Sequence, residues 1–432
     1  MDTNTIAMII LFATFMIFMV LRVPVTFSML GACVLTALYL GPKYVSSVFL
    51  RLGDGVQSFS FLAIPFFIFA GDIMAEGGIS DRLVEVANVM VGRFRGGLAY
   101  VNVIASTFFG GISGSPTADV SSLGPIEIGM MTKSGYDKDF SACNYSSNCY
   151  TGSDIPPSHN NDHVYGMAAG GLSTGKLFLA GIGPGLMLCA AMCILVARIT
   201  RKRGYPRGPK YTVRESLKIV SDGFLGVMTI VIILLGVCTG LFTTTESAAI
   251  ACVYALFVTL FIYKSIKVKD IWRIAKKSLG TLAMILSIIA AANAFCYLMS
   301  LMQVPAKITQ MLLTVSDNKY VVLILINILL LVLGCFMETI CIIILVTPIL
   351  FPIVVSMGMD PIHFGVAMMA NLAVGGITPP LSVGLFTACR ILNCKVEDTF
   401  PDVLYIIAVI TVGAGITFIF PELSMYLVEV LK

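Results

Sequence analysis

Apolar runs long enough to cross a bilayer alternate with short polar breaks along almost the whole chain. Segments such as MIILFATFMIFMVL (8–21) and VMTIVIILLGVCTGLF (227–242) contain no charged residue, and about 20 such residues in a helix span a hydrocarbon core of about 30 Å. The pattern predicts complete crossings over 6–21, 177–197, 222–241, 246–263 and 280–302. Residues 80–95 and 264–278 set apolar positions against a basic face, which predicts amphipathic connecting helices on the membrane surface. Four further apolar pieces are interrupted. Those at 97–130 and 320–354 contain GGISGSPTAD (110–119) and GCFMETI (334–340); those at 143–168 and 363–388 contain TGSDIPP (151–157) and GGITPP (375–380).

The placement of Lys and Arg decides which breaks face the cytoplasm. Arg201, Lys202, Arg203, Arg207, Lys210 and Arg214 form one basic loop, and Lys264, Lys267, Lys269, Arg273, Lys276 and Lys277 form another. The two crossings between them are joined by FTTTES, without a basic residue, as an out-and-back pair requires. Counting back from the first loop, 97–130 begins beside Arg93 and Arg95 and ends beside Lys133. Both ends then face one side, and the piece must enter and turn back. Counting forward, 320–354 also begins and ends on one side if 363–388 is to bring Arg390 and Lys395 inside. This second re-entrant piece comes from the opposite face, and the N-terminus is expected outside, in the periplasm.

Composition narrows the class. Of 432 residues, 57% are hydrophobic and 12% charged, with mean hydropathy +0.93, and no stretch is left for a separate soluble domain. MDTNTIAMII has no Lys or Arg ahead of its apolar run, so the first crossing is expected to be retained rather than cleaved as a signal peptide. The twelve cysteines, among them Cys33, Cys189, Cys193, Cys238, Cys252, Cys296 and Cys341, are scattered through apolar runs without CxxC pairs and are expected to be buried thiols. The fold class is an all-α polytopic membrane protein.

Sliding the chain by 223 residues aligns Gly111 with Gly334, Pro125 with Pro348, Ile126 with Ile349, Gly135 with Gly358, Asp137 with Asp360, Asn148 with Asn371, Gly152 with Gly375, and Pro156-Pro157 with Pro379-Pro380. These nine identities fall in 47 ungapped positions, where roughly three are expected by chance. Seven are Gly, Pro or Asn, which points to shared backbone breaks. Copies entering from opposite faces are inverted repeats, and such repeats place binding sites at the membrane midplane where helices are interrupted in both halves. Broken backbone at that depth must be buried in protein or line a cavity. The small and hydroxyl-bearing residues of these breaks leave carbonyl and hydroxyl oxygens free for a hard cation such as sodium.

The hairpin GGISGSPTADVSSLGPIEIGMMTKSGYDKDFSA, STGKLFLAGIGPGL, GLFTTTESAA, METICIIILVTPILFPI and GMDPIHFGVAMMANLAVGGITPPLSVGLF together resemble the large membrane (M) subunit of tripartite ATP-independent periplasmic (TRAP) transporters, from about Pro65 to Phe420. The resemblance implies two opposed re-entrant hairpins of the elevator type found in the ion-transporter superfamily. It also implies sodium-coupled uptake of a carboxylate, sugar acid or sulfonate across the bacterial inner membrane, without enzymatic activity or a cofactor beyond the coupling ion. Implied partners are a small membrane (Q) subunit, a periplasmic substrate-binding protein and lipid, with no nucleic acid. On this pattern Ser113, Gly114, Ser115, Thr117, Gly152 and Ser153 hold one sodium ion, and Gly334, Met337, Thr339, Gly375, Gly376 and Thr378 hold another. Asp154, Pro156, Pro157, His159, Asp162, Glu338 and Pro379 contact substrate between them. Residues 97–170 and 320–390 form the transport repeats, 1–96 and 171–319 the scaffold and its connectors, and 391–432 a final span.

SDIPPSHNNDHVYG (153–166) departs from the family, which carries mainly aliphatic residues after the Pro-Pro. Its histidines, asparagines and Asp162 suit hydrogen bonding to an oxyanion or to sugar hydroxyls. A hydrated bend whose side chains pair with one another is the bland alternative. His159 and His163 at i, i+4 also match the spacing of a zinc helix, although Asn160 replaces the catalytic glutamate and no third ligand is evident. An ion channel with re-entrant filter loops and an intramembrane metalloprotease therefore remain as alternative functions at this point.

Overall fold

The computed structural model describes residues 3–21, 23–54, 57, 63–113, 116, 119–120, 124–153, 164–166, 168–208, 211–304, 307, 318–335, 337, 339–378 and 382–430. Among these residues there are helices and no strand beyond an isolated bridge between Arg95 and Arg207. The first half comprises α1 (Thr3–Val20), α2 (Val25–Leu40), α3 (Pro42–Asp54), α4 (Ala63–Glu76), α5 (Ile79–Val91), α6 (Gly97–Ser113), α7 (Gly124–Lys133), α8 (Lys138–Ser153) and α9 (Thr174–Arg203). The second comprises α10 (Val213–Cys238), α11 (Thr244–Phe257), α12 (Val268–Leu301), α13 (Lys319–Gly334), α14 (Thr339–Ser356), α15 (Pro361–Ile377), α16 (Val383–Leu392), α17 (Phe400–Ile419) and α18 (Glu422–Val430). A π-helical turn, Val258–Ile262, prolongs α11. The twelve cysteines are free thiols; Cys33, Cys143, Cys149, Cys252, Cys341 and Cys389 are buried as expected, and the rest are half-buried.

Among the described residues, seven segments are long and apolar enough to cross a membrane: α1, α9, α10, α11 with its π turn, α12, α14, and α17 with the turn before it. α4 and α5, bent by 67° at their junction, make an eighth if counted together. The elbow is Gly77-Gly78, where Gly78 is left-handed (φ +69°) and a Cβ on Gly77 would lie 2.2 Å from Thr259 Cγ2. The five crossings predicted from hydropathy fall on α1, α9, α10, α11 and α12. One boundary differs: 264–278 is not a separate surface helix but the first turns of α12, which runs unbroken for 34 residues. Asp270 Oδ2 accepts from the Lys267 N–H at 2.9 Å and starts the helix. Beyond that point only Gly280 interrupts good helix formers, a cost of ~1 kcal/mol that a long helix absorbs. Trp272 on this stretch is 76% exposed, as an interfacial anchor would be. The hydropathy pattern above singles out none of α2, α3, α4 and α18.

The duplication extends to individual hydrogen bonds. At the end of α7, the N–H groups of Ser134, Gly135 and Tyr136 donate to the carbonyls of Met130, Thr132 and Met131 at 3.1 Å each. At the end of α14, those of Met357, Gly358 and Met359 donate to Ile353, Val355 and Val354 at 3.2, 3.0 and 3.0 Å. Every one of these positions is offset by 223. The next helix then begins at Lys138 in one copy and Pro361 in the other, again 223 apart, with the Asp137 and Asp360 carbonyls accepting from Ser141 and Phe364 at 3.0 Å. Left-handed residues recur in register as well: Gly41 with Lys264, Gly135 with Gly358, and Gly170 with Asn393. Matching turns therefore extend the repeat to residue 170 in the first copy, beyond the window that identities alone revealed.

The copies interlock through their broken helices. Tyr150, near the end of α8, lies against Gly376 and Gly384, where a Cβ would come 2.2 and 2.6 Å from its ring. Beyond the first break, Tyr165 packs on Gly365 near the start of α15 and donates from its hydroxyl to the Pro361 carbonyl at 2.7 Å. Beyond the second break, α16 packs on α8. Each broken helix thus lays its second part along the first part of the other. α9 and α17 pack against this unit, and Arg203 at the end of α9 ties them together. Its Nη2 lies 2.8 Å from both carboxylate oxygens of Asp402, and its Nη1 lies 3.0 Å from Asp137 Oδ2 and 3.5 Å from Asp139 Oδ2. Tyr205 donates to Asp137 Oδ2 at 2.6 Å; burial and this carboxylate hold the phenol above its ordinary range.

Gly135 and Gly358 have open space where a Cβ would sit, so substitution there is opposed only by the left-handed backbone. Gly135→Ala and Gly358→Ala are each expected to destabilise the protein by ~1–2 kcal/mol. Lower melting temperatures of the detergent-solubilised protein would show it; two unchanged values would contradict equivalent roles for the two turns.

Candidate ion and substrate site

The predicted site residues divide between described and undescribed positions. Gly114, Ser115, Thr117, Asp154, Pro156, Pro157, His159, Asp162, Glu338 and Pro379 lie outside the described residues, as does the whole HNNDH stretch. Ser113 and Ser153 are the last residues of α6 and α8, so the structure fixes where their backbones end. Among the described residues no group of three or more His, Cys, Asp or Glu side chains is placed to hold a metal ion.

In the second copy the structure brings two of the predicted residues, Gly334 and Gly375, into contact. α13 and α15 cross so closely that a Cβ on Gly375 would sit 2.4 Å from Gly334 Cα, and one on Gly334 would sit 2.7 Å from Gly375 Cα. Only glycine at both positions permits this approach. The two C-terminal helix ends converge there, and the last four carbonyls of a helix lack partners within it. Some are taken by the following backbone: Cys335 N–H donates to Leu331 O at 3.2 Å, Met337 N–H to Leu333 O at 3.0 Å, and Thr378 N–H to Gly375 O at 3.0 Å. Two negative ends of helix dipoles meeting in one place favour a cation.

The side chains contribute less than their types suggest. Thr378 Oγ1 donates back to Val374 O at 2.7 Å, so its proton is committed and only its lone pairs face outward. Met337 is 8% exposed and packs into the hydrophobic core, which leaves its backbone as the usable group. Gly376 is occupied in another way, as the platform for the Tyr150 ring. Thr339 opens α14 and is the described hydroxyl nearest the tip in sequence.

The first copy repeats the approach with a different partner. A Cβ on Gly152 would lie 2.2 Å from the Ser106 carbonyl oxygen, so the end of α8 meets α6 backbone to backbone about two turns before α6 ends. Here the surroundings are polar. Asn144, Ser146, Ser147, Asn148 and Thr151 on α8 are all buried. Neither amide atom of Asn148 has a hydrogen-bond partner among the described residues, and the same holds for Ser146 Oγ and Ser147 Oγ. Buried polar atoms without partners call for water, an ion or a ligand. In the second copy the Asn371 amide donates to Asn327, to its backbone oxygen at 3.3 Å and to its side-chain oxygen, while Asn371 Oδ1 has no partner among the described residues. The sequence reading passed over Asn148 and Asn371 as binding groups. Their identity in the repeat was the available signal, and it was read only as a mark of shared backbone.

Two substitutions separate close approach from ordinary glycine flexibility. Gly375→Ala and Gly152→Ala drive a methyl into backbone and are expected to lower the melting temperature of the purified protein. Gly280→Ala, in open space within α12, should leave it unchanged or raise it, by up to ~1 kcal/mol in stability. Equal tolerance at all three sites would contradict the crossing geometry.

The chain can be set beside known proteins on this geometry. Residues 12–423 match the family model described as "Tripartite ATP-independent periplasmic transporter, DctM component". The sequence is similar to the sialic acid TRAP transporter large permease protein of Vibrio cholerae serotype O1, 34% identical over 406 residues, covering 94% of this chain and 95% of that one. It is 36% identical over 418 residues to the isethionate TRAP transporter permease protein DctMQ of Oleidesulfovibrio alaskensis, covering 96% of this chain and 66% of that one. Among solved structures, the YdaH transporter of Alcanivorax borkumensis shares the fold with a TM-score of 0.61 at 14% identity, over 88% of this chain and 90% of that one. The relatives are named as transporter permeases, which leaves neither the channel nor the protease reading a role. With a family match over nearly its whole length and relatives above one third identity, the chain belongs to the DctM family and is the large permease component of a TRAP transporter.

Proposed function

We propose that the protein couples uptake of a small organic anion to sodium through two opposed re-entrant hairpins that move as one body. The observation that carries this reading is the meeting of α13 and α15 at Gly334 and Gly375, where two helix C-termini expose carbonyls beside the second Pro-Pro break. Helix lengths support the re-entrant path. At a rise of ~1.5 Å per residue, the 16 residues of α13 cover ~24 Å, short of a ~30 Å core. The distribution of basic loops favours the α7–α8 turn inside and the α14–α15 turn in the periplasm, with the N-terminus outside and the chain in the bacterial inner membrane.

Ser113, Gly114, Ser115, Thr117, Gly152 and Ser153 would hold one sodium ion, and Gly334, Met337, Thr339, Gly375, Gly376 and Thr378 the other. The substrate would lie between them against Asp154, Pro156, Pro157, His159, Asp162, Glu338 and Pro379. The relatives named above for sialic acid and isethionate act on a sugar carboxylate and a sulfonate, so an organic anion is the class expected here. The polar stretch 159–163 favours a hydroxylated one. A small membrane subunit and a periplasmic binding protein complete the transporter. The moving body is larger than residues 97–170 and 320–390, because α9 and α17 pack on α15 and are bound to α8 through Arg203.

Uptake in proteoliposomes containing the chain, its small subunit and the loaded binding protein tests the reading, with a panel of labelled carboxylates, sugar acids and sulfonates. Uptake should saturate and fall to background when sodium is replaced by choline. His159→Ala and Asp162→Asn should raise KM about tenfold, equivalent to about 1.4 kcal/mol, without removing the sodium requirement. Sodium-independent uptake, or a flux that never saturates, would refute the proposal.

A further inference from the structure

Two buried carboxyl groups in the first hairpin take no part in the sites above. Asp119 and Glu127 are each 2% exposed, and Glu127 lies in the first turn of α7. The duplication shows that the surrounding frame does not require acids. Their equivalents 223 residues later are Ile342 and Leu350, both fully buried. Asn102, the neighbour of Glu127 on α6, corresponds to Leu325. The second copy closes this region with hydrocarbon, whereas the first places ionisable groups there. An acid at membrane depth is costly, and function is its default explanation.

Among the described residues no basic side chain pairs with Glu127. The charged groups that act on it are Asp119, on the chain leading into α7, and Asp81, on α5, and both are acidic. From α8, Tyr145 and Cys149 lie within its electrostatic reach. Lys133 at the far end of α7 and Arg390 on α16 are exposed. The Asn102 amide, itself buried, is aimed at Glu127 Oε2 and can serve either charge state by turning over. With its nitrogen toward the carboxyl, it donates to Glu127 Oε2 at 2.8 Å and to the Leu98 carbonyl at 3.1 Å, which suits a charged glutamate. With its oxygen there, the nitrogen donates to Met131 Sδ at 3.0 Å, and the oxygen meets a donor only if Glu127 carries a proton. The start of α7 gives the charged form a favourable dipole but no counter-ion, so both states are accessible.

We propose that Glu127 is a proton-binding site, filled from the cytoplasm, whose occupancy licenses movement of the first hairpin. The proposal rests on the transport reading above and on the topology that puts α5 and the end of α7 at the cytoplasmic surface. Asp81 is exposed there, and Lys133 stands ~9 Å along α7 from Glu127, so the path to water is short. With its proton, Glu127 is neutral and donates to Asn102 Oδ1. The hairpin then moves through hydrocarbon without an uncompensated charge. When the proton leaves to water, a carboxylate remains beside Asp119 in the packed interior, and the moving body stalls. Sodium acts at the break; the proton acts where α6, α7 and α8 pack.

Sodium-driven uptake by the complete complex in proteoliposomes tests this, with the internal pH varied and the external pH held constant. Loaded binding protein added outside selects the chains that face outward. Wild-type uptake should fall about tenfold per pH unit once internal pH passes the titration of Glu127, because one proton is lost. Glu127→Gln, which keeps the shape and a donor for Asn102, should hold the acid-side rate across the whole range and still require sodium. Infrared spectra of the purified complex supply a readout independent of transport: a protonated-carboxyl band that disappears at high pH and is missing from Glu127→Gln. If that variant does not fold, Glu127→Asp serves instead, with the band displaced rather than removed. Wild-type uptake that ignores internal pH, or a carboxyl band unaltered by substitution at Glu127, overturns the proposal and leaves the transport reading standing. Wild-type complex that moves none of the panel acids at any pH counts against the transport reading instead.

Discussion

A polypeptide inside a bilayer has no water to satisfy its backbone, so every interruption of a helix at that depth must be covered by protein. Most of this fold follows from covering two such interruptions. Glycine does the covering where side chains would hold the helices apart: Gly375 against Gly334 in one copy, Gly152 against Ser106 in the other. At Gly334 and Gly375 this approach brings the ends of α13 and α15 together, where the last carbonyls of a helix lack partners within it. Tyr150 and Tyr165, seated on Gly376 and Gly365, lock the two breaks to each other.

The two copies share a backbone frame and diverge in chemistry. α8 reads KDFSACNYSSNCYTGS, and its counterpart α15 reads PIHFGVAMMANLAVGGI. Both are buried, so the contrast does not reflect exposure. One copy presents hydroxyls and amides to the interior and the other presents methyl and thioether groups, on helices that begin with the same turn. Duplication thus supplied symmetry for the backbone while leaving each half free to specialise.

Much of the fold was legible because it depends on local composition. Crossings are visible as apolar length, and the repeat is visible because Gly and Pro cannot be replaced where left-handed turns and breaks occur. The surface connector at 264–278 was misread because amphipathicity does not say whether a helix ends, and one glycine at position 280 was too weak a stop. The Arg203 cluster could not be read at all. It joins residues 66 and 199 positions away, and nothing in a basic loop reveals that one of its arginines turns inward to a buried aspartate. At the helix crossings, Gly334, Gly375 and Gly152 are legible because their smallness is their signal. Asn148 and Asn371 were missed because an amide in an apolar helix reads as tolerated polarity until its burial is known.

The central claim is that the two turns built on identical hydrogen bonds lie on opposite faces of the membrane. Single cysteines introduced as Ser134→Cys and Met357→Cys, at equivalent positions of those turns, can be probed with an impermeant thiol reagent in right-side-out vesicles. Met357→Cys should label directly, and Ser134→Cys only after the vesicles are permeabilised. Labelling of both from the same side would contradict an inverted pair and with it the meeting of the two breaks at mid-membrane.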